Sequence, residues 1–376
     1  MLTNQFTRAT SVLIGTIVGA GIFGLPYAFA KVGFWTGIFY LIILALIYLI
    51  TNLCYTELIL RTKKPMEMSE YARLYLGNWG KGLVSFSLIL GIYGALIAYT
   101  IGVGRFLHAI LGPVLGGTQL FWSLIFWILA SLVVFWDIGI VSRLEVFMAI
   151  GLIFIALFIF SNSFSYINFD NLATFHREFL FFPYGVVLFA LGGASAIPTM
   201  RRILTNKAYL LKKAVVLGLV IPVLIYIIFT FTVVGVSGSF TSEQAITGLA
   251  QFANGKVLLV GGIFGILAMT TSFLALGHIL LEFYRRDYHL PKTFAWASTV
   301  CIPMALFLLG LKSFIGAISF SGGVLGGIQG MVLIAAYYKA KKMGDRAPEF
   351  SFKLAKPIAW LIYIIFAVGI IYQFIY

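Results

Sequence analysis

Long apolar runs, each broken off by a short polar or basic stretch, set the pattern of this chain. Runs long enough to cross a bilayer fall at about 9–30, 35–60, 82–111, 119–138, 144–166, 179–200, 213–236, 256–284, 293–311, 313–338 and 355–376. They predict an all-α polytopic membrane protein with 11 transmembrane helices. No stretch is left for a soluble domain, since the longest polar connections are about 167–178, 237–255 and 339–354. The first run imitates a signal peptide, with Arg8 before it and Ala28-Phe29-Ala30 near its end. Its glycines, its length and Pro26 read instead as a membrane helix.

Two of the runs are interrupted in the same way. The first contains Gly15-Thr16-Ile17-Val18-Gly19-Ala20-Gly21-Ile22-Phe23-Gly24-Leu25-Pro26, and the sixth contains Phe189-Ala190-Leu191-Gly192-Gly193-Ala194-Ser195-Ala196-Ile197-Pro198. In both, a glycine stands five residues before a proline, Gly21 before Pro26 and Gly193 before Pro198. Proline removes a helical hydrogen bond and glycine tolerates unwound backbone, so both spans are expected to break near mid-membrane. Free backbone groups at that depth are tolerated only against protein or a polar cavity. The breaks are five spans apart and so enter the membrane from opposite sides, which predicts an inverted repeat. Residues 1–166 form its first half, 179–343 its second, and 353–376 an extra helix. Paired interruptions of this kind point to a transporter binding site. The glycines of the tenth run, Gly322, Gly323, Gly326, Gly327 and Gly330, read as a packing stripe.

Composition agrees with a membrane protein: 61% of residues are apolar and 10% charged, against roughly 45–50% and 25% in a soluble domain. The formal charge of +14 needs no nucleic-acid partner, because basic residues collect in cytoplasmic loops. Of the 26 lysines and arginines, only Lys31, Arg105, Arg177, Lys256 and Lys312 fall on the side opposite the N-terminus. The N-terminus is therefore expected in the cytoplasm and the C-terminus outside, in a cell membrane whose lipid is the chain's surroundings. Cys54 and Cys301 lie in apolar runs without metal-ligand spacing, so no disulfide framework is implied. Glu57, Arg105, Asp137 and Glu145 stand near span ends and read as interfacial.

Gly19-Ala20-Gly21-Ile22-Phe23-Gly24-Leu25-Pro26 resembles the first-helix signature of the amino acid/polyamine/organocation transporter superfamily, with its leucine-transporter-type fold of five plus five helices. Taken with Gly91-Ile92-Tyr93-Gly94-Ala95-Leu96-Ile97-Ala98-Tyr99, residues 191–200, Lys212-Lys213-Ala214 and Thr270-Thr271-Ser272-Phe273-Leu274, it is similar to the bacterial hydroxy and aromatic amino acid permeases of the tryptophan/tyrosine type. Eukaryotic amino acid/auxin permeases are a more distant likeness. The resemblance covers essentially the whole chain. Members of the permease family often carry a His-Asn pair after the sixth-helix break, where this chain has Ala194-Ser195.

A zwitterionic amino acid needs donors for its carboxylate and acceptors for its ammonium group. The first break would offer N–H groups at Gly19, Ala20 and Gly21, with Ile22 beside them, and the sixth would offer carbonyls at Phe189, Ala190 and Leu191, with Gly192 and Gly193 beside them. No charged side chain lies in either segment, in keeping with an uncharged solute side chain. The resemblance implies that the third helix lines the cavity, where Tyr93 and Tyr99 either cap the substrate or pack in the core. It also implies a sodium site from carbonyls of Gly15, Val18 and Ala268 with hydroxyls of Thr271 and Ser272. Back-bonding of those hydroxyls along their own helix is the plainer alternative. Some relatives replace the sodium by a lysine on the fifth helix, but the 144–166 run has none. His278 and Glu282, one turn apart, are the candidates for a proton relay or gate.

These features predict a secondary active transporter importing aromatic or other neutral amino acids by alternating access, as a symporter driven by sodium or protons. No cofactor and no obligatory protein partner are implied. The alternative is a channel, or a transporter of another small organic solute. Enzyme chemistry is disfavoured, since no H-E-x-x-H or G-x-S-x-G is present and the histidines are scattered.

Overall fold

A computed structural model of the chain describes residues 2–136, 141–249 and 255–375. The first run is two helices, α1 (Leu2–Ile17) and α2 (Gly21–Val32), bent by 51° at Val18, Gly19 and Ala20. Next come α3 (Phe34–Leu60), α4 (Met68–Leu115), α5 (Gln119–Trp136) and α6 (Val141–Ser163). The sixth run breaks into α7 (Pro183–Ala190) and α8 (Ile197–Ile203). Then follow α9 (Leu211–Ser237), the short α10 (Ile246–Leu249), α11 (Gly255–Asp287) and α12 (Lys292–Leu308). In the tenth run a π-helical turn, Ser321–Gly326, joins α13 (Phe314–Phe320) to α14 (Gly327–Met343), and α15 (Lys356–Ile375) completes the described chain.

By length and hydropathy, eight helices among the described residues can cross a membrane, and the bent pair α1 and α2 makes a ninth. Eleven crossings require α6 (Val141–Ser163) and the shorter α12 (Lys292–Leu308) to span as well. α4 is two helices joined at Gly77, a short one before it and the span of the third run after it. Glu67 caps the start of α4 through a capping box with Glu70, and the helix turns at Gly77, whose φ is 74°. Its first turns bury Tyr71, Ala72 and Tyr75 while exposing Glu70 and Arg73, an amphipathic pattern that an apolar window passes over.

Packing follows the internal repeat. α2 packs on α7 and α1 on α8, so the two broken helices run antiparallel with their breaks level. α3 likewise packs on α9, α4 on α11 and α5 on α12, so each of the first four spans meets its counterpart five spans later. The outer surface is apolar: α3 exposes Trp35, Phe39, Ile42 and Leu46 while burying Leu41, Leu44 and Ile47. Such a stripe fits hydrocarbon rather than water.

At the N-terminal end of the bundle the connections are tied together by Arg202 to Glu67 at 2.5 Å, Lys81 to Asp287 at 2.5 Å and the Lys63 N–H to Asp345 at 2.9 Å. At the opposite end Arg105 binds Glu243 at 2.6 Å and Gln244 at 2.9 Å. Glu57 corrects an expectation. It is fully buried rather than interfacial, accepting from Arg61 at 2.7 Å, from the Phe352 N–H at 2.6 Å and from Ser351 at 3.2 Å. It therefore clamps the end of α3 to the link between α14 and α15. Glu57→Gln weakens charge-assisted bonds in a buried place and is expected to cost about 1–3 kcal/mol. A lowered melting temperature in detergent would show it, with exposed Glu349→Gln as a near-neutral control. Asp137 and the side chain of Glu145 lie outside the described residues.

Candidate functional site

Both breaks form where the sequence placed them. After α1 the Val18 N–H still reaches Ile14 C=O at 2.9 Å, and the Gly19 N–H turns back to Ile17 C=O at 3.1 Å. α2 then starts afresh, and the first N–H groups of any helix lack partners within it. In the sixth run the Gly192 N–H bonds Phe189 C=O at 3.1 Å and the Ala196 N–H bonds Gly193 C=O at 3.0 Å, so the chain passes from α7 to α8 through tight turns. The two breaks touch through backbone. A Cβ on Gly21 would stand 2.4 Å from Ala190 Cα. The π-helical turn completes this knot: a Cβ on Gly322 would stand 2.2 Å from Gly185 O and 2.3 Å from Phe189 N. Farther along the stripe, Gly323 meets Gln373, Gly327 meets Ile370 and Gly330 meets Phe366, so these glycines let α7 and α15 approach.

One side chain from a third element joins the breaks. The Tyr226 hydroxyl, wholly buried on α9, lies 3.0 Å from Ile17 C=O and 2.9 Å from Ala190 C=O. These carbonyls stand at the C-terminal ends of α1 and α7, where helix dipoles leave negative partial charge. One hydroxyl proton is shared between both.

A cavity of about 170 Å³ opens beside the breaks and runs toward the N-terminal end of the bundle, where Thr16, Met68, Ile279 and Leu333 line it. On the other side of the breaks aromatic rings close the path. Phe23 stacks edge-on against Phe106 at 5.4 Å and Phe229 at 6.1 Å, and Tyr27 meets Phe182 at 6.1 Å. The wall carries hydroxyl and amide groups from Tyr48, Thr51, Asn52, Ser321 and Gln329 and no ionisable carboxylate, lysine or arginine.

Of the residues expected to hold substrate, Gly19, Tyr99, Phe189, Gly192 and Gly193 line this cavity. Tyr99 hydrogen-bonds Ser272, and both hydroxyls press on Gly19, whose added Cβ would meet them at 3.2 Å and 3.1 Å. Ala20, Gly21, Ile22, Ala190 and Leu191 lie outside the lining, buried in the contact between the breaks. Tyr93 turns away from it: its hydroxyl bonds Tyr284 at 2.6 Å and donates to Ser298 C=O at 3.0 Å. The reason is helical geometry. Six residues separate Tyr93 from Tyr99, which at about 100° per residue puts them on different faces. Leu88, Ile92, Ala95 and Tyr99 form the stripe that faces the cavity.

Gly15 lies in the last turn of α1, Val18 just beyond it, and Ala268, Thr271 and Ser272 midway along α11. Thr271 back-bonds to Ala268 C=O at 3.0 Å and Thr270 to Ile266 C=O at 2.6 Å, while Ser272 instead faces Tyr99. Glu282 is engaged by Arg285 at 2.7 Å and Arg286 at 3.1 Å near the end of α11, one turn past His278. No group of three or more His, Cys, Asp or Glu suited to a metal occurs among the described residues. Sequence reasoning missed Tyr226 and Asn52. A tyrosine or asparagine in an apolar span was the signal available for each.

The sequence profile of the tryptophan/tyrosine permease family matches residues 2–375. Tyrosine-specific transport system 1 of Haemophilus influenzae is 24% identical over 373 residues, spanning 92% of this chain and 90% of its own. Glutamine transporter 2 of Aliivibrio fischeri is 23% identical over 326 residues, 84% of each. Tyrosine-specific transport system 2 of H. influenzae is 25% identical over 353 residues, 86% and 84%. Among solved structures, Mhp1, a nucleobase-cation-symport-1 family transporter in a closed conformation with bromovinylhydantoin bound, superposes with a TM-score of 0.60. At 14% identity it covers 88% of this chain and 77% of its own, which shows a shared fold of the leucine-transporter type.

Proposed function

The chain belongs to the tryptophan/tyrosine permease family, and from that premise we propose that it moves neutral amino acids, aromatic ones among them, with a cation by alternating access. It is a multi-pass membrane transporter and not an enzyme. The observation that carries the proposal is the pair of level, touching breaks beside a cavity without fixed charge. On this reading the backbone of the break residues that border the cavity, Gly19, Phe189, Gly192 and Gly193, holds the common part of an amino acid by peptide dipoles. Tyrosine and glutamine, for which relatives are named, have uncharged side chains that suit such a cavity.

The tied end of the bundle, where most basic residues were counted, faces the cytoplasm on this reading, and the cavity is then inward-facing. We take sodium as the coupling ion. Thr271 Oγ1 donates to Ala268 O at 3.0 Å, and a sodium ion there would take both oxygens as ligands in place of that hydrogen bond. The rival proton relay would need Glu282, which two arginines engage. Proteoliposomes loaded with the purified protein should accumulate labelled tyrosine, tryptophan or glutamine under an imposed sodium gradient. Thr271→Ala should remove the sodium dependence. Uptake that follows a proton gradient alone, with Thr271→Ala indistinguishable from wild type, would replace sodium by the proton, and absence of any amino acid uptake or binding would overturn the substrate class.

A further inference from the structure

We propose that Asn52 selects the substrate, hydrogen-bonding an uncharged polar side-chain tip, a phenol or a carboxamide, of an amino acid whose zwitterionic end is held at the breaks. The inference rests on the transport reading above and deepens it. Asn52 lies on α3, is 1% exposed, and borders the cavity. Neither its amide nitrogen nor its amide oxygen has a hydrogen-bond partner among the described residues. Buried polar groups are almost always paired, and an unpaired amide in a membrane helix is costly where a leucine would pack.

Its neighbours show that the backbone could have satisfied it. Thr51 returns its hydroxyl to Ile47 C=O at 2.9 Å, Thr56 to the Asn52 C=O at 2.7 Å, and Asn162 gives its amide to Phe158 C=O at 2.9 Å. Asn52 alone of these leaves donor and acceptor open, and it does so beside the cavity. Tyr48, one turn earlier on the same face, sets its hydroxyl against Gly326, where an added Cβ would be 2.8 Å away. That wall is thus polar on α3 and narrowed by the end of the π-helical turn.

A carboxamide donates through nitrogen and accepts through oxygen. A phenol can accept from the one and donate to the other, and a second carboxamide can pair with it through two bonds. An apolar tip leaves both atoms bare, and a site built to bond a hydroxyl rejects the analogue lacking it. A formally charged tip would find no counter-ion on this wall.

The test is equilibrium binding of labelled tyrosine to the purified full-length protein, with glutamine, phenylalanine and leucine as competitors, for wild type, Asn52→Leu and Asn52→Ala. Wild type should bind tyrosine and glutamine at least about tenfold more tightly than phenylalanine and leucine. In both variants that preference should shrink to within about twofold, with phenylalanine binding retained as proof of a folded cavity. Asn52→Ala covers the case in which leucine overpacks the wall. A wild type that prefers the apolar competitors or ignores the difference would overturn the proposal. So would variants keeping the wild-type ratio, as a water resident at Asn52 would produce. Wild type binding amino acids without this dependence refutes only the role of Asn52; wild type binding none refutes the transport reading as well.

Discussion

Tyr226→Phe is expected to leave a folded protein that takes up substrate about tenfold more slowly than wild type. The change keeps the ring and removes one O–H, so packing on α9 is preserved. What disappears is the donor between Ile17 C=O and Ala190 C=O, which it approaches at 3.0 Å and 2.9 Å. Leaving buried carbonyls unsatisfied costs about 1–3 kcal/mol, and tenfold in rate corresponds to about 1.4 kcal/mol. Both carbonyls end half-helices, so without the hydroxyl two negative partial charges face each other in a medium without water. Ala190 C=O was expected from sequence to accept the substrate ammonium. It is instead buried outside the cavity lining and accepts from Tyr226, which ties the contact between the breaks to α9. Uptake into proteoliposomes and thermal stability in detergent read the two consequences. Wild-type values for both would mean that the hydroxyl is idle.

The positions of the two breaks were legible in the sequence because their cause is local: glycine and proline change what one stretch of backbone can do, whatever surrounds it. The apolar runs were legible for a similar reason, since burial in lipid is set by composition. What the residues at the breaks face is a different matter. Gly21 looked like a place for a carboxylate to approach, yet its open side is filled by Ala190. Tyr93 and Tyr99 looked equivalent until helical phase separated them, and the phase of a helix that is apolar all round cannot be read from hydropathy. Glu57 looked interfacial because only its distance from the span end was visible. Its burial comes from the link after α14, which folds back over it from almost three hundred positions away. Tyr226 and Asn52 carry no local signature. Each matters through what tertiary packing brings to it, two carbonyls in one case and nothing at all in the other.

Gly21→Ala is expected to reduce uptake by about a hundredfold or more, although it adds a single methyl group. The new Cβ would lie 2.4 Å from Ala190 Cα, 2.7 Å from Ala190 Cβ and 3.1 Å from Ala190 N. Carbon atoms rest at about 3.5–4.0 Å from one another, so more than 1 Å must be recovered. Two of the three opposing atoms are backbone, which no rotamer change can move. α2 and α7 must therefore separate, and the breaks with them. Overpacking of this sort costs about 1–3 kcal/mol or more in stability. Function should suffer beyond that, because displacing groups that position a solute by 1 Å can cost about a hundredfold. Gly82→Ala is the control: it sits in α4 with nothing within 4 Å of the added carbon, and should be neutral or slightly stabilising. Adding Ala190→Gly to Gly21→Ala removes the contact at 2.7 Å but leaves the closer one to Cα, so the pair should regain only part of the lost uptake. Near-normal transport by Gly21→Ala alone would show that the breaks tolerate separation and that their contact does not set the geometry of the site.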